Sequence, residues 1–141
     1  MNHSITWHNS KPVVTFASGY VARITNLLAK GDTNPKLAKG EKGYLIRSLS
    51  LSPSTYSGIG NVCAFSSPGC EPDNCLFGQG RAGAWNRTDM LSPIAYARIA
   101  RNILWHLERQ WFLDRLHLEL NNHAKLADRY NLIPASRLNM F

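Results

Sequence analysis

Three cysteines close together constrain this chain more than any other feature. Cys63, Cys70 and Cys75 are its only cysteines, separated by six and four residues in a segment rich in Gly, Pro and Ser. Such a segment bends easily, so the three thiols can converge on one point. Two thiols form a disulfide and four close a structural zinc site, whereas three leave one coordination position open, as in some iron–sulfur clusters. The spacing therefore predicts a metal centre with three thiolate ligands.

The identity of the metal is open at this stage. Zinc ribbons use C-x2-C pairs, which are absent here, so an iron–sulfur cluster is the first expectation and zinc is the alternative. A fourth ligand from His106, His117 or His123 is a further alternative, as is a set of reduced thiols without metal. Clustered thiolates repel one another unless a cation neutralises them, and this favours the metal.

Length and charge indicate the class of protein. A chain of 141 residues is expected to form a single domain. Sixteen Lys and Arg against nine Asp and Glu give a net charge of +7, which permits nucleic-acid binding without requiring it. The N-terminus lacks the features of a signal peptide, and no apolar run is long enough for a membrane span. With an odd number of locally spaced cysteines, these features predict a cytoplasmic protein without membrane contact.

The pattern along the chain predicts an α/β fold with few strands. We divide it into an N-terminal extension (residues 1–29), an exposed loop (30–43) and a β-α-β unit with the cysteine loop (44–139). Within the extension, residues 13–16 are β-prone and 20–29 have the spacing of a short helix with Val21, Ile24 and Leu28 on one face.

Two strands and a long helical pair make up the predicted β-α-β unit. Residues 44–51 form its first strand, and Ser92 followed by proline starts a helix that runs to about His106. A second helix, either separate or continuous with the first, is predicted over 108–130, and Asn131 is the candidate for its C-terminal cap. Its apolar positions are Phe112, Leu116, Leu120, Ala124 and Ala127, and it leads to a strand at 135–139. A crossover of this kind predicts that the two strands are parallel.

Four arginines offer a second candidate site. Arg98 and Arg101 are three residues apart and share a helix face, while Arg81 and Arg87 lie upstream. Together they are candidates for contacts to phosphate or a nucleic-acid backbone. The alternative is a solvated helix face.

Several short runs, in their order, resemble the phage gene-product 88 family over about residues 26–139. They are 37–45, 49–53, 57–58, 61–63, 67–70, 75–76, 80–82, 97–101 and 137–139. The family's cysteine loop in turn resembles that of radical S-adenosylmethionine enzymes, where three cysteines hold a [4Fe–4S] cluster whose remaining iron binds the cofactor. The resemblance implies that Cys63, Cys70 and Cys75 are cluster ligands, although radical S-adenosylmethionine enzymes typically have C-x3-C-x2-C spacing.

Family members continue beyond the run at 137–139, whereas this sequence ends at Phe141. We therefore expect an incomplete S-adenosylmethionine pocket, vestigial catalysis, and a strand edge that allows a homodimer. The first hypothesis is a small phage-derived protein of the host cytoplasm that binds a metal or cluster. The alternative is a small basic interaction protein that binds nucleic acid or inhibits a host factor.

Overall fold

The computed structural model describes residues 2–30, 42–53, 56–63 and 91–138. Within these ranges the chain forms two three-stranded sheets and two helices, which confirms the mixed α/β prediction. The elements are β1 (His3–His8), β2 (Lys11–Phe16), β3 (Val21–Arg23), β4 (Leu28–Lys30), β5 (Tyr44–Leu49), α1 (Pro93–Leu107), α2 (Arg109–Arg129) and β6 (Ile133–Arg137). Neither helix is long and apolar enough to cross a membrane.

The chain divides into two compact units, each made of separate stretches of sequence. The first unit contains residues up to 25 together with 51–108, and the second contains 26–50 together with 109–140. Chain segments thus alternate between the units.

The first unit combines an antiparallel sheet with helix α1. The order is β1-β2-β3, and the β1–β2 hairpin turns through Asn9 and Ser10, whose φ angles of 50° and 59° are typical of a two-residue type I′ turn. Alternate residues of β2 are buried, including Val14 and Phe16. Phe16 packs against Tyr96 of α1, with ring centroids 4.8 Å apart. The apolar face of β2 and the helix therefore share a core.

Helix α1 begins where the sequence predicts. The Ser92 hydroxyl accepts a hydrogen bond from the Ala95 amide at 3.2 Å, and Pro93 occupies the first turn, where its missing N–H is not needed. The helix ends at Glu108, whose φ of −124° and ψ of 46° are not helical. The two helices are therefore separate rather than continuous.

Replacing Ser92 by alanine should lower the free energy of unfolding by about 1 kcal/mol, because an amide of the first turn loses its acceptor. Urea denaturation followed by circular dichroism measures the change. Ser4→Ala, at an exposed position of β1, is the control and should shift stability by less than about 0.5 kcal/mol. Equal midpoints for Ser92→Ala and wild type would show that this cap does not stabilise the helix.

The second unit contains the predicted β-α-β arrangement. The strand order is β4-β5-β6, where β4 pairs antiparallel to β5 and β6 pairs parallel to it. Parallel strands need a crossover, and α2 lies in it and packs against both β5 and β6. The predicted parallel pairing is therefore confirmed.

A Schellman motif ends α2 at the predicted cap. Asn131 has a φ of 56°, and its amide donates to the Asp128 carbonyl at 3.0 Å. The Leu132 amide donates to the Ala127 carbonyl at 2.9 Å, which completes the motif. Asparagine tolerates this left-handed conformation better than most residues, and the chain then turns into β6.

The helix predicted over 20–29 is wrong. This stretch contains the two short strands β3 and β4, in different units. Val21, which was assigned to the apolar helix face, is 41% exposed, whereas Ala22 is buried and pairs with Val14. The backbone of this stretch thus finds its hydrogen-bond partners in strands outside it, β2 and β5. Most of the predicted exposed loop, residues 31–41, lies outside the described ranges.

Candidate metal centre

The structure describes the stretch that leads to the cysteines, residues 52–53 and 56–63, which is called the entry segment. Cys63 is half-buried and is the last residue described before position 91. The other predicted ligands, Cys70 and Cys75, lie outside the described residues, as do Arg81 and Arg87. Among the residues that are described, no group of three or more His, Cys, Asp or Glu side chains is arranged to hold a metal. Of the candidate centre, the structure therefore describes Cys63 and the residues that precede it.

Asn102 of α1 anchors the beginning of this entry segment. Its buried side chain accepts a hydrogen bond from the Ser52 amide at 3.1 Å and donates one to the Ser52 carbonyl at 2.7 Å. Ser52 is itself fully buried, so the side chain satisfies two backbone groups that water cannot reach. This double hydrogen bond fixes the chain on the helix eleven positions before Cys63.

A second anchor lies one helical turn further along α1. A Cβ atom at Gly60 would be 2.6 Å from Cε1 and 2.7 Å from Nε2 of His106, a separation that real side chains do not show. Glycine therefore allows the backbone to lie directly on the imidazole ring. The Nε2 atom of His106 is buried and has no hydrogen-bond partner among the described residues. Such an unsatisfied nitrogen is uncommon and requires an explanation.

The chain bends between this contact and Cys63. The buried Ser57 hydroxyl lies 3.5 Å from the Gly60 carbonyl and 3.4 Å from the Ile59 amide. The Cys63 amide then donates to the Asn61 side-chain oxygen at 2.8 Å, which forms an Asx turn. Cys63 follows Gly60 after only two intervening residues, so these local bonds lie next in sequence to the Gly60–His106 contact.

The three histidines considered as further ligands have different surroundings. His106 belongs to the first unit, which also contains Cys63. His117 and His123 belong to the second unit. His117 is exposed on α2, whereas His123 is buried with Nε2 3.2 Å from the Ala135 carbonyl of β6. Of the three, only His106 shares a unit with the cysteine segment.

The predicted arginine pair lies on α1, and both side chains are half-buried. Burial lowers the pKa of Arg98 from its usual value because desolvation disfavours the charged guanidinium. Arg98, Asn102 and His106 recur every four residues and share one helix face. The arginine pair is therefore less open to solvent than an exposed phosphate-binding face would be.

Asn102 and Gly60 were not identified from the sequence. Asn102 offers one signal, because it is a polar residue between the apolar positions Ile99 and Leu104. A polar side chain on a buried helix face needs partners, and the Ser52 backbone supplies them here. Gly60 offers no such signal, since its role depends on a contact with a residue distant in sequence.

A comparison with known protein families finds one that matches most of the chain. The family model described as Gene product 88 matches residues 26–141, which confirms the family resemblance. The match begins after β3, so the sheet of the first unit lies outside it. No curated protein and no solved structure matches the chain. The likeness to radical S-adenosylmethionine enzymes stays a prediction.

Proposed function

Because this chain belongs to the phage gene-product 88 family, we propose that it binds a metal ion or iron–sulfur cluster through Cys63, Cys70 and Cys75. The observation that carries the proposal is the double anchoring of the entry segment on α1, by Asn102 and by the Gly60–His106 contact. An anchored segment limits where Cys63 can lie. A metal site benefits from this restriction, because its ligands are then ordered before binding.

The available donors suit a soft or borderline metal. Thiolates select zinc and iron–sulfur clusters over magnesium or calcium, and the half-buried position of Cys63 limits access of water. A bound cluster would supply electron transfer, and a bound zinc ion would supply a structural cross-link. The protein's contribution is to hold the thiolates, keep them deprotonated through the bound cation, and shield them from oxidation.

Metal analysis of anaerobically purified protein tests the proposal. We expect iron with sulfide, or zinc, at near-stoichiometric level in wild type. Replacement of Cys63, Cys70 or Cys75 by serine should abolish retention, because a site with three thiolates cannot lose one and still hold its metal tightly. Ser67→Ala, a change within the same segment that removes no thiol, is the control and should retain the metal. Wild-type protein with neither iron nor zinc would refute the proposal.

A basic interaction protein is the second candidate, and the net charge of +7 favours it. In this case Arg81, Arg87, Arg98 and Arg101 contact nucleic acid or a host protein. Binding of double-stranded DNA or RNA that weakens steeply with salt, by a protein free of metal, would support nucleic-acid binding over the metal centre. Charge-reversal of Arg81 and Arg87 should then weaken binding while α1 remains folded.

A further inference from the structure

We propose that Arg98 of α1 binds a terminal phosphate group, either inorganic phosphate or the phosphate monoester of a small molecule. The site is built from described residues of the first unit, so it does not depend on the metal centre. It also differs from the nucleic-acid candidate, because it assigns Arg98 to a terminal phosphate and not to the phosphodiester backbone of a duplex.

The lack of a counter-ion for Arg98 is the first argument. The side chain is half-buried, and its buried Nε has no hydrogen-bond partner among the described residues. Arg98 also forms no ion pair in this part of the chain. Desolvation lowers its pKa, which shows that its surroundings do not compensate the charge. A cation withdrawn from water without an anion destabilises the fold, and a bound anion would remove this cost.

The charge of the first unit is the second argument. Its described residues include four Lys and Arg and a single acidic side chain, Glu108. Glu108 follows Arg98 by ten residues, or roughly 15 Å along the helix at 1.5 Å per residue. The first turn of α1 contains no acidic residue, although a helix start favours negative charge. The described part of the unit thus supplies no carboxylate at Arg98, and an anion from outside would be attracted there.

The geometry of the guanidinium favours phosphate. Its planar set of N–H donors matches two oxygens of a phosphate group, and Arg101 adds a second positive charge three residues further on the same side of the helix. Ile94, one turn before Arg98, is 59% exposed. Helical side chains tilt toward the N-terminus, so a ligand can approach Arg98 from the solvent at this end of α1.

The half-buried position favours a terminal phosphate over a nucleic-acid backbone. A terminal phosphate presents three acceptor oxygens and is attached through one oxygen only. Each phosphate of a backbone is flanked by sugars on both sides, which hinder contact with a guanidinium that is partly withdrawn from the surface. The ligand class is therefore inorganic phosphate or a small phosphorylated molecule.

Thermal unfolding of the full chain in potassium phosphate, compared with potassium chloride of equal ionic strength, tests the proposal. Phosphate should raise the wild-type Tm, because a ligand of the native state stabilises it. Arg98→Met keeps an unbranched aliphatic side chain and should weaken phosphate binding at least about tenfold, as expected for lost hydrogen bonds to a charged group. Arg23→Met, the same change at an exposed arginine of this unit, is the control and should respond like wild type.

A wild-type Tm that phosphate raises no more than chloride does would overturn the proposal, as would an equal response of Arg98→Met. A second measurement does not depend on the variant's folding. In wild type labelled with nitrogen-15 arginine and assigned through the side chain, added phosphate should shift the Nε–H signal of Arg98. A signal that stays unchanged at saturating phosphate refutes the assignment.

A short single-stranded oligonucleotide, with and without a terminal phosphate, distinguishes the two kinds of phosphate. Arg98-dependent binding of the phosphorylated strand alone supports the terminal-phosphate site. Equal, Arg98-dependent binding of both strands would assign Arg98 to the backbone and overturn the proposal. Iron and zinc measured in the same samples report on the metal centre separately, so the failure of one proposal leaves the other intact.

Discussion

Glu119→Ala is expected to lower the free energy of unfolding by about 2–5 kcal/mol, because two buried backbone amides lose their acceptor at about 1–3 kcal/mol each. The carboxylate of Glu119 is only 7% exposed and accepts hydrogen bonds from three groups. The Leu27 amide lies 3.0 Å from both oxygens, the Leu28 amide 2.8 Å from Oε2, and the Arg115 Nε 2.7 Å from Oε1. Alanine would leave two buried amides without an acceptor and a guanidinium without its anion.

Two further variants show whether these contacts cause the loss. Glu119→Gln retains one acceptor oxygen and should fall between wild type and Glu119→Ala. Asp114→Ala removes an exposed carboxylate from the same helix and should change stability by less than about 0.5 kcal/mol. Urea midpoints with unchanged slopes provide the comparison. If Glu119→Ala unfolds with the midpoint of Asp114→Ala, the carboxylate does not hold the start of β4.

Asn102→Ala should cost about 2–4 kcal/mol, because it leaves the buried amide and carbonyl of Ser52 without partners at about 1–3 kcal/mol each. Its side chain makes hydrogen bonds of 3.1 and 2.7 Å to these groups. Alanine favours helices more than asparagine does, which offsets a few tenths of this loss. Denaturant unfolding, monitored by tryptophan fluorescence and circular dichroism together, measures the effect.

The matched control is Asn121→Ala, the same change at an exposed position of α2. It should leave stability unchanged or raise it slightly, since only helix propensity changes. Asn102→Asp gives a sharper comparison, because it keeps an acceptor for the Ser52 amide but loses the donor to the carbonyl. We expect it to be nearly as destabilising as alanine. Stability of Asn102→Ala equal to that of Asn121→Ala would contradict the anchoring role.

Features with local causes could be predicted from the sequence. Ser92 with the following proline defines a helix start through contacts within one turn, and the structure places α1 there. The parallel pairing of β5 and β6 also agrees, because a helical crossover between two apolar runs leaves few other arrangements. Asn131 likewise ends α2 through bonds to carbonyls of the preceding turn.

Features that depend on distant partners were missed. The buried face of α2 includes Glu119 and His123, whereas Ala124, assigned to its apolar stripe, is exposed. A search for hydrophobic periodicity overlooks buried polar residues, which are satisfied here by Leu27 and Ala135. The helix predicted over 20–29 failed for a related reason, because strand partners outside that stretch decide its conformation.

For the candidate site, the sequence indicated the cysteines but not the contacts that anchor the segment leading to Cys63. The short spacing of Cys63, Cys70 and Cys75, in a segment rich in Gly, Pro and Ser, predicts that the three thiols converge on one point. The contact of Gly60 with His106 joins two residues far apart in the chain, and nothing in the pattern around either residue indicates it. His106 was one of three equivalent histidines until the fold placed it in the unit that contains Cys63.

The alternation of chain segments between the two units has a consequence for biosynthesis. Because residues 26–50 and 109–140 together form one unit, β5 leaves the ribosome long before α2 and β6, which complete its sheet. The hairpin of β1 and β2 needs no later residues for its pairing, whereas the parallel pair must wait for almost the whole chain. No single proteolytic cut between the segments releases both units intact. A single cleavage anywhere between residues 25 and 109 should therefore leave the two stretches of at least one unit on different fragments.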